Sequence, residues 1–158
     1  MRRIKFLVLA SLAMLLLFGI PANAQTTVKS ISAEKKYTDK QIQSILGTPD
    51  RLVKQEGDDG EALCNYYYQD AKFFFSDGQL IWMCIETKKY PVMTDRISGG
   101  IKVGDNISKV LKIKGVRYSQ SDDDKSCYFI SFNKYNEPDY SIWTKNGIIT
   151  VIGYTLLD

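Results

Sequence analysis

Few residues in this chain could carry out catalytic chemistry, and the most versatile type is missing. The 158-residue sequence contains no histidine. Without histidine the chain cannot form Ser-His or Cys-His nucleophile pairs, histidine-ligated zinc sites or the usual general base near neutral pH. Asp and Glu are plentiful, so a carboxylate-dependent hydrolase stays open as an alternative, but no pair of acids has a pocket-like context. We therefore expect a protein that is not an enzyme.

One acidic segment, Ser121-Asp122-Asp123-Asp124, could be considered as a calcium loop. Such a loop needs alternate ligands, a central glycine and a glutamate at its twelfth position. Here the glycine is missing and the twelfth position is Asn133. The segment Ser98-Gly99-Gly100 likewise lacks the lysine and hydroxyl of a phosphate-binding loop. We expect a solvated hairpin loop at the aspartates, no metal site and no cofactor.

The three cysteines are Cys64, Cys84 and Cys127. An odd number in an exported chain means that at least one thiol is free or pairs between molecules. We interpret them as buried thiols that behave as small apolar residues, and their pairing is left open.

Aromatic residues are concentrated in predicted strands, and they suggest a binding surface. With strict alternation, both faces of the strands around Tyr67, Phe74 and Trp82 are apolar, whereas a sheet covered on one side should alternate apolar and polar residues. Either the second face packs inside the protein or it is exposed for binding. Tyr and Trp bury large areas at protein interfaces. The residues predicted to bind a protein partner are Tyr66, Tyr68, Trp82 and Trp143.

The N-terminus has the pattern of a secretory signal peptide. A basic start precedes an apolar run over Phe6–Ile20 and the small residues of Ala22-Asn23-Ala24. We predict a signal peptide over residues 1–24, cleaved between Ala24 and Gln25, and a secreted or periplasmic protein without a membrane span in its mature chain. Removing the signal leaves 18 basic and 18 acidic residues. This balance gives no electrostatic footprint for nucleic acid.

Helix and strand patterns follow the signal peptide. Thr38-x-x-Gln41 forms a capping box, and Gly47 ends the helix that it starts. Four strands are predicted next, over Arg51–Glu56, Ala62–Tyr68, Lys72–Ser76 and Gln79–Thr87. A second helix is predicted to start at Asp105 and to end at Gly115. It is followed by four further strands, over Val116–Ser119, Ser126–Asn133, Tyr140–Thr144 and Ile148–Leu156.

Two landmarks suggest that the chain repeats itself. Gly47 and Gly115 are 68 positions apart, and Gly78 and Gly147 are 69 apart. The predicted organisation is an N-terminal arm (25–36), repeat unit 1 (37–88), a connector (89–100) and repeat unit 2 (101–158). Each unit is a helix followed by a four-stranded antiparallel meander. The predicted fold class is therefore α+β, with a common sheet and the helices on one face.

This pattern resembles a known superfamily. The segments Leu46-Gly47-Thr48-Pro49, Phe73-Phe74-Phe75, Asp77-Gly78 and 100–105 are similar to the repeat of the β-lactamase inhibitor protein-like and small outer-membrane assembly lipoprotein-like group. The resemblance covers most of the mature chain and implies two units with a concave sheet. Its motifs are structural and carry no chemistry. The chain departs from the group because it has no lipobox cysteine and no evident disulfide in each unit.

These features together predict an exported cell-envelope binding module that engages a protein partner through an aromatic sheet face. The alternative is a structural envelope assembly or scaffolding factor in which the aromatic face is internal core.

Overall fold

A computed structural model describes residues 29–33, 35–132 and 139–156. The predicted signal peptide and its cleavage site lie outside the described residues. The described part contains eleven strands and two helices. In chain order these are β1 (Ile31–Ser32), α1 (Asp39–Leu46), β2 (Arg51–Glu56), β3 (Ala62–Tyr68), β4 (Ala71–Ser76), β5 (Gln79–Ile85), β6 (Val92–Thr94), β7 (Ile97–Ile101), α2 (Ser108–Leu111), β8 (Arg117–Gln120), β9 (Cys127–Ser131), β10 (Tyr140–Lys145) and β11 (Ile148–Thr155).

Helix α1 begins and ends as its sequence predicts. The Thr38 hydroxyl accepts from the Gln41 amide at 3.3 Å, and the Gln41 side chain accepts from the Thr38 amide at 2.9 Å. This reciprocal pair satisfies two backbone donors that would otherwise have no partner. Gly47, with φ of 95°, supplies the backbone turn that ends the helix. The capping box is confirmed.

The main element is an eight-stranded antiparallel sheet with the order β2-β3-β4-β5-β11-β10-β9-β8. Strands β2 to β5 pair with their neighbours in sequence, and so do β8 to β11. The two sets meet where β5 pairs with β11. Turns with positive φ at Asp77-Gly78 and at Asn146-Gly147 close the hairpins β4–β5 and β10–β11. Positive φ at both central residues is the type I′ geometry that matches strand twist.

A second, three-stranded sheet has the order β1-β6-β7, with β1 parallel to β6. Its strands come from the segments predicted as an arm and a connector. The Pro91 carbonyl accepts from the Ile31 amide at 3.1 Å, and the Met93 carbonyl accepts from the Ala33 amide at 2.8 Å. Sequence reasoning missed this sheet because its longest strand, β7, has five residues and because β1 pairs with a strand far along the chain.

The predicted α+β class with two helix-plus-meander units is wrong. The protein is mostly β, with about half of its described residues in strands and about a tenth in helices. Helix α2 has only four residues, and its N-cap is Ile107, without a side-chain cap. The carboxylate of Asp105, the predicted cap, instead accepts from the Lys102 amide at 3.2 Å and from Lys109 Nζ at 2.8 Å. The division into repeat units stays a prediction.

One face of the large sheet, which we call the core face, builds the hydrophobic core of the described residues. Its fully buried side chains include Phe73, Phe75 and Met83. They share one cluster with Ile42 of α1 and with apolar residues of the small sheet and α2. All three of these elements therefore supply residues to the same core as this face of the sheet.

Candidate functional site: the open face of the large sheet

The opposite face of the large sheet carries a continuous row of residues, one from each strand. Because paired residues in antiparallel strands lie on the same face, the registers define this row directly. We call the face that carries it the open face. The row runs through Arg51, Tyr67, Lys72, Cys84, Gly153, Ser141, Phe129 and Ser119.

Aromatic side chains on the open face do not join the core. Phe74 pairs with Trp82 on one side of the row, and Trp143 pairs with Val151 on the other side. Phe129 is 37% exposed, and the remaining aromatic residues of the face are half-buried. None of them belongs to the core cluster or packs against it. The aromatic residues of this face are Tyr67, Phe74, Trp82, Phe129 and Trp143.

The structure separates the four predicted partner-binding residues into two pairs. Trp82 and Trp143 lie on the open face. Tyr66 and Tyr68 lie on the core face, where Tyr66 is only 3% exposed. Strand geometry places the Cα atoms of the two tryptophans roughly 16 Å apart, since they are two strands and four residues apart.

Tyr66 and Tyr68 hold α1 against the sheet. The Tyr66 hydroxyl donates to Asp39 Oδ2 at 3.0 Å and accepts from Gln43 Nε2 at 2.8 Å. The Tyr68 hydroxyl donates to the Gly47 carbonyl at 3.0 Å. Burial, followed by the neighbouring Asp39 carboxylate, raises the pKa of Tyr66 to about 12. The structure therefore places Tyr66 and Tyr68 on the core face and not on the face that carries Trp82 and Trp143. Their contact with a partner stays a prediction.

A β-bulge explains why the tyrosines and Trp82 do not share a face. The register between β4 and β5 shifts after Phe74, so that Phe74 pairs with Trp82 while Phe75 pairs with Leu80. The extra residue, Ile81, reverses the alternation. Leu80 then points into the core, while Trp82 points to the open face. Strict alternation in the sequence had placed Leu80 and Trp82 on the same face.

Gly153 occupies the centre of the row, between the Ser141 backbone and the Trp143 ring. A Cβ atom at this position would lie 3.4 Å from Trp143 Cζ3 and 3.3 Å from the Ser141 carbonyl oxygen. Glycine inside a strand often marks a close approach of this kind. The Trp143 ring therefore lies beside the Gly153 backbone, and sequence reasoning missed this contact although an interior strand glycine was visible.

The charged groups of the open face are mainly basic. Arg51 stacks over the Tyr67 ring, with its guanidinium carbon 4.0 Å from the ring centroid. Lys72 Nζ forms an exposed ion pair with Glu86 Oε1 at 3.2 Å. Lys145 is exposed at the end of β10, two residues beyond Trp143.

The two thiols on this face are poor nucleophiles. Cys84 and Cys127 are both buried and free. Burial, with a further contribution from Glu86, raises the pKa of Cys84 to about 11. Burial also raises the pKa of Cys127. Both thiols are therefore protonated near neutral pH, whereas the thiolate is the reactive form.

The aspartate loop is held by its own hydrogen bonds. The Ser126 amide and hydroxyl donate to Asp124 Oδ1 at 2.8 and 2.6 Å, and these bonds lower the pKa of Asp124. Among the residues that the structure describes, no group of three or more His, Cys, Asp or Glu side chains could hold a metal ion.

Comparisons with known proteins identify no family for this chain. No protein-family model matches the chain, and no curated protein matches it. One solved structure that is similar is an extracellular protein containing an SCP domain from Bacillus anthracis strain Ames, with 11% identity and a TM-score of 0.45. The match covers 75% of this chain and 42% of that one. A likeness this distant carries no argument about function. No helix in the described part of the chain is long and apolar enough to cross a membrane.

Proposed function

We propose that this chain is an exported, non-enzymatic binding protein that engages a protein partner through the open face. The observation that carries the proposal is the set of open-face aromatic side chains, including Trp82 and Trp143, that do not pack against the core. Half-exposed aromatic side chains on a regular sheet are rigid, so they bury area at low entropic cost when a partner docks. The signal-peptide pattern of the sequence supports export.

The same observation weighs against the structural alternative, an envelope scaffolding factor whose aromatic face is internal core. The core cluster is built from the core face, α1, α2 and the small sheet. Within the described residues, Cys84 and Cys127 are the only buried apolar residues of the open face. A covered aromatic face would place Trp82 and Trp143 among them.

Affinity capture with matched variants tests the proposal. The tagged full chain is used to capture proteins from the envelope of its own cells, beside a Trp82→Ala/Trp143→Ala variant and a Tyr118→Ala control. Tyr118 is 54% exposed and pairs with Ile130 on the core-face side of edge strand β8, so the control removes an exposed aromatic ring away from the open face. We expect one protein to be retained by the wild type and the control, and lost from the double variant.

Circular dichroism of each variant checks that it is folded. A folded double variant that retains the same protein as the wild type would refute the proposed interface.

A further inference from the structure

The strands of the open face carry more basic than acidic side chains. Its strand positions hold four basic side chains and, among the described residues, no Asp or Glu. The four are Arg51, Lys72, Arg117 and Lys145. Two carboxylates reach the face from just outside the strands, Glu86 beside Lys72 and Glu61 beside the Ser76 hydroxyl. The predicted mature chain has equal numbers of basic and acidic residues, so the excess of basic side chains on this face does not follow from the overall composition.

Two of these cations are available to a ligand. Lys72 forms an ion pair with Glu86, and Arg117 has an interaction of its own. Arg51 and Lys145 make no ion pair with any described residue, and both are exposed. They lie at different borders of the aromatic surface, Arg51 on edge strand β2 and Lys145 beside the β10–β11 turn.

Arg51 is also preorganised. Its guanidinium lies over the Tyr67 ring, and this cation–π contact restricts the motion of the group. A planar guanidinium binds a carboxylate through two parallel hydrogen bonds, and holding it in place reduces the entropy lost on binding.

We propose that the protein partner presents carboxylates beside apolar side chains, so that its acidic groups meet Arg51 and Lys145 while its apolar groups cover Trp82 and Trp143. This inference rests on the function proposed above. A second copy of this chain fits less well as the occupant. A two-fold contact between open faces would bring two sets of basic residues together, and like charges across an interface are unfavourable.

Selection from a phage-displayed library of random peptides tests the charge preference without a known partner. Extended peptides of about twelve residues reach roughly 40 Å, enough to span both tryptophans. The full chain is the bait, and the Trp82→Ala/Trp143→Ala variant is used to remove peptides that bind elsewhere. We expect the enriched peptides to contain Asp or Glu next to aromatic or branched apolar residues.

Synthetic copies of the enriched peptides are then titrated against charge-reversal variants. Arg51→Glu and Lys145→Glu should each weaken binding about tenfold, and raising the salt concentration should weaken wild-type binding. Lys54→Glu is the matched control, since Lys54 is an exposed cation on the same strand as Arg51 but pairs with Cys64 on the other face. It should leave the affinity unchanged.

The possible failures are distinguishable. The charge inference would be overturned if the enriched peptides need the tryptophans but are neutral or basic. It would also be overturned if they bind Arg51→Glu and Lys145→Glu as tightly as the wild type. Either result would leave the proposed function standing. Finding no peptide that depends on the tryptophans would overturn both. Two further results would replace the acidic protein as the occupant. If no peptide is enriched but heparin, an acidic polysaccharide, binds the wild type and not Arg51→Glu, the occupant is a polysaccharide. If sedimentation shows a dimer that Trp82→Ala abolishes, the occupant is a second copy of this chain.

Discussion

Replacing Tyr66 by phenylalanine isolates the hydrogen bonds that join α1 to the sheet. The substitution keeps the ring that packs 5.0 Å from the Phe75 ring and removes only the hydroxyl. That hydroxyl donates to Asp39 and accepts from Gln43. A neutral hydrogen bond contributes about 1 kcal/mol and one to a charged group about 1.5–3 kcal/mol. Asp39 and Gln43 are half-exposed, so water can replace part of the loss, and we expect a destabilisation of about 2 kcal/mol.

Urea unfolding followed by circular dichroism measures this loss, with Tyr67→Phe as the matched control. Tyr67 is the next residue on the same strand, but it points to the open face and its hydroxyl makes no hydrogen bond with any described residue. The control should lie within about 0.5 kcal/mol of the wild type. Equal stability of Tyr66→Phe and wild type would refute the assignment of Tyr66 to an interior structural role.

The pH dependence of the same variant gives a second check. The pKa of Tyr66 is raised to about 12 in the folded protein, from an unfolded value of 10.0. A raised pKa means that folding favours the protonated hydroxyl. Its contribution is therefore fully present below pH 10 and is lost as the pH rises towards 12. The difference in free energy of unfolding between wild type and Tyr66→Phe should shrink over that interval, and a constant difference would contradict this account.

Four further variants probe the two faces of the sheet. Phe75→Ala should destabilise the protein by about 3–5 kcal/mol because it empties a fully buried site, whereas half-buried Trp82→Ala should cost clearly less in the same urea experiment. Gly153→Val should displace the neighbouring Trp143 ring, cost about 1–3 kcal/mol and shift the tryptophan emission. Trp143→Ala should speed alkylation of Cys127, its paired neighbour, as followed by mass spectrometry; an unchanged rate would mean that the ring does not cover this thiol.

Local signals in the sequence identify the strands of the large sheet well. The predicted ranges Arg51–Glu56 and Ala62–Tyr68 agree with β2 and β3. Turn chemistry locates the hairpins because Asp77-Gly78 and Asn146-Gly147 each tolerate positive φ at both positions. Periodicity and turn residues are local properties, so they can be read without knowledge of the fold.

The features that the sequence did not reveal depend on contacts between distant segments. The parallel pairing of β1 with β6 joins residues about 60 positions apart and rests on very short strands. Helix α2 was overestimated because its apolar spacing continues beyond Leu111, where the helix ends. The α+β assignment failed for these two reasons.

Two of the four residues predicted for the site lie on the open face, and contact of any of the four with a partner stays a prediction. Trp82 and Trp143 were identified from residue type, and both lie on the open face. Tyr66 and Tyr68 were assigned to the same surface because alternation was assumed to be unbroken. The bulge at Ile81 breaks it, and no residue type in β5 marks a bulge in advance.

Tryptophan fluorescence tests most directly whether the open face is a surface or a covered interior. Trp82 and Trp143 are the only tryptophans in the chain, so all of its tryptophan emission reports on this face. Acrylamide quenching is compared between native and urea-unfolded protein, with Trp82→Phe and Trp143→Phe to assign each signal. We predict that both residues are quenched in the native protein at a large fraction of the unfolded rate. Native emission that is blue-shifted and protected from acrylamide at both positions would contradict the central claim, because it would place the aromatic face inside the protein.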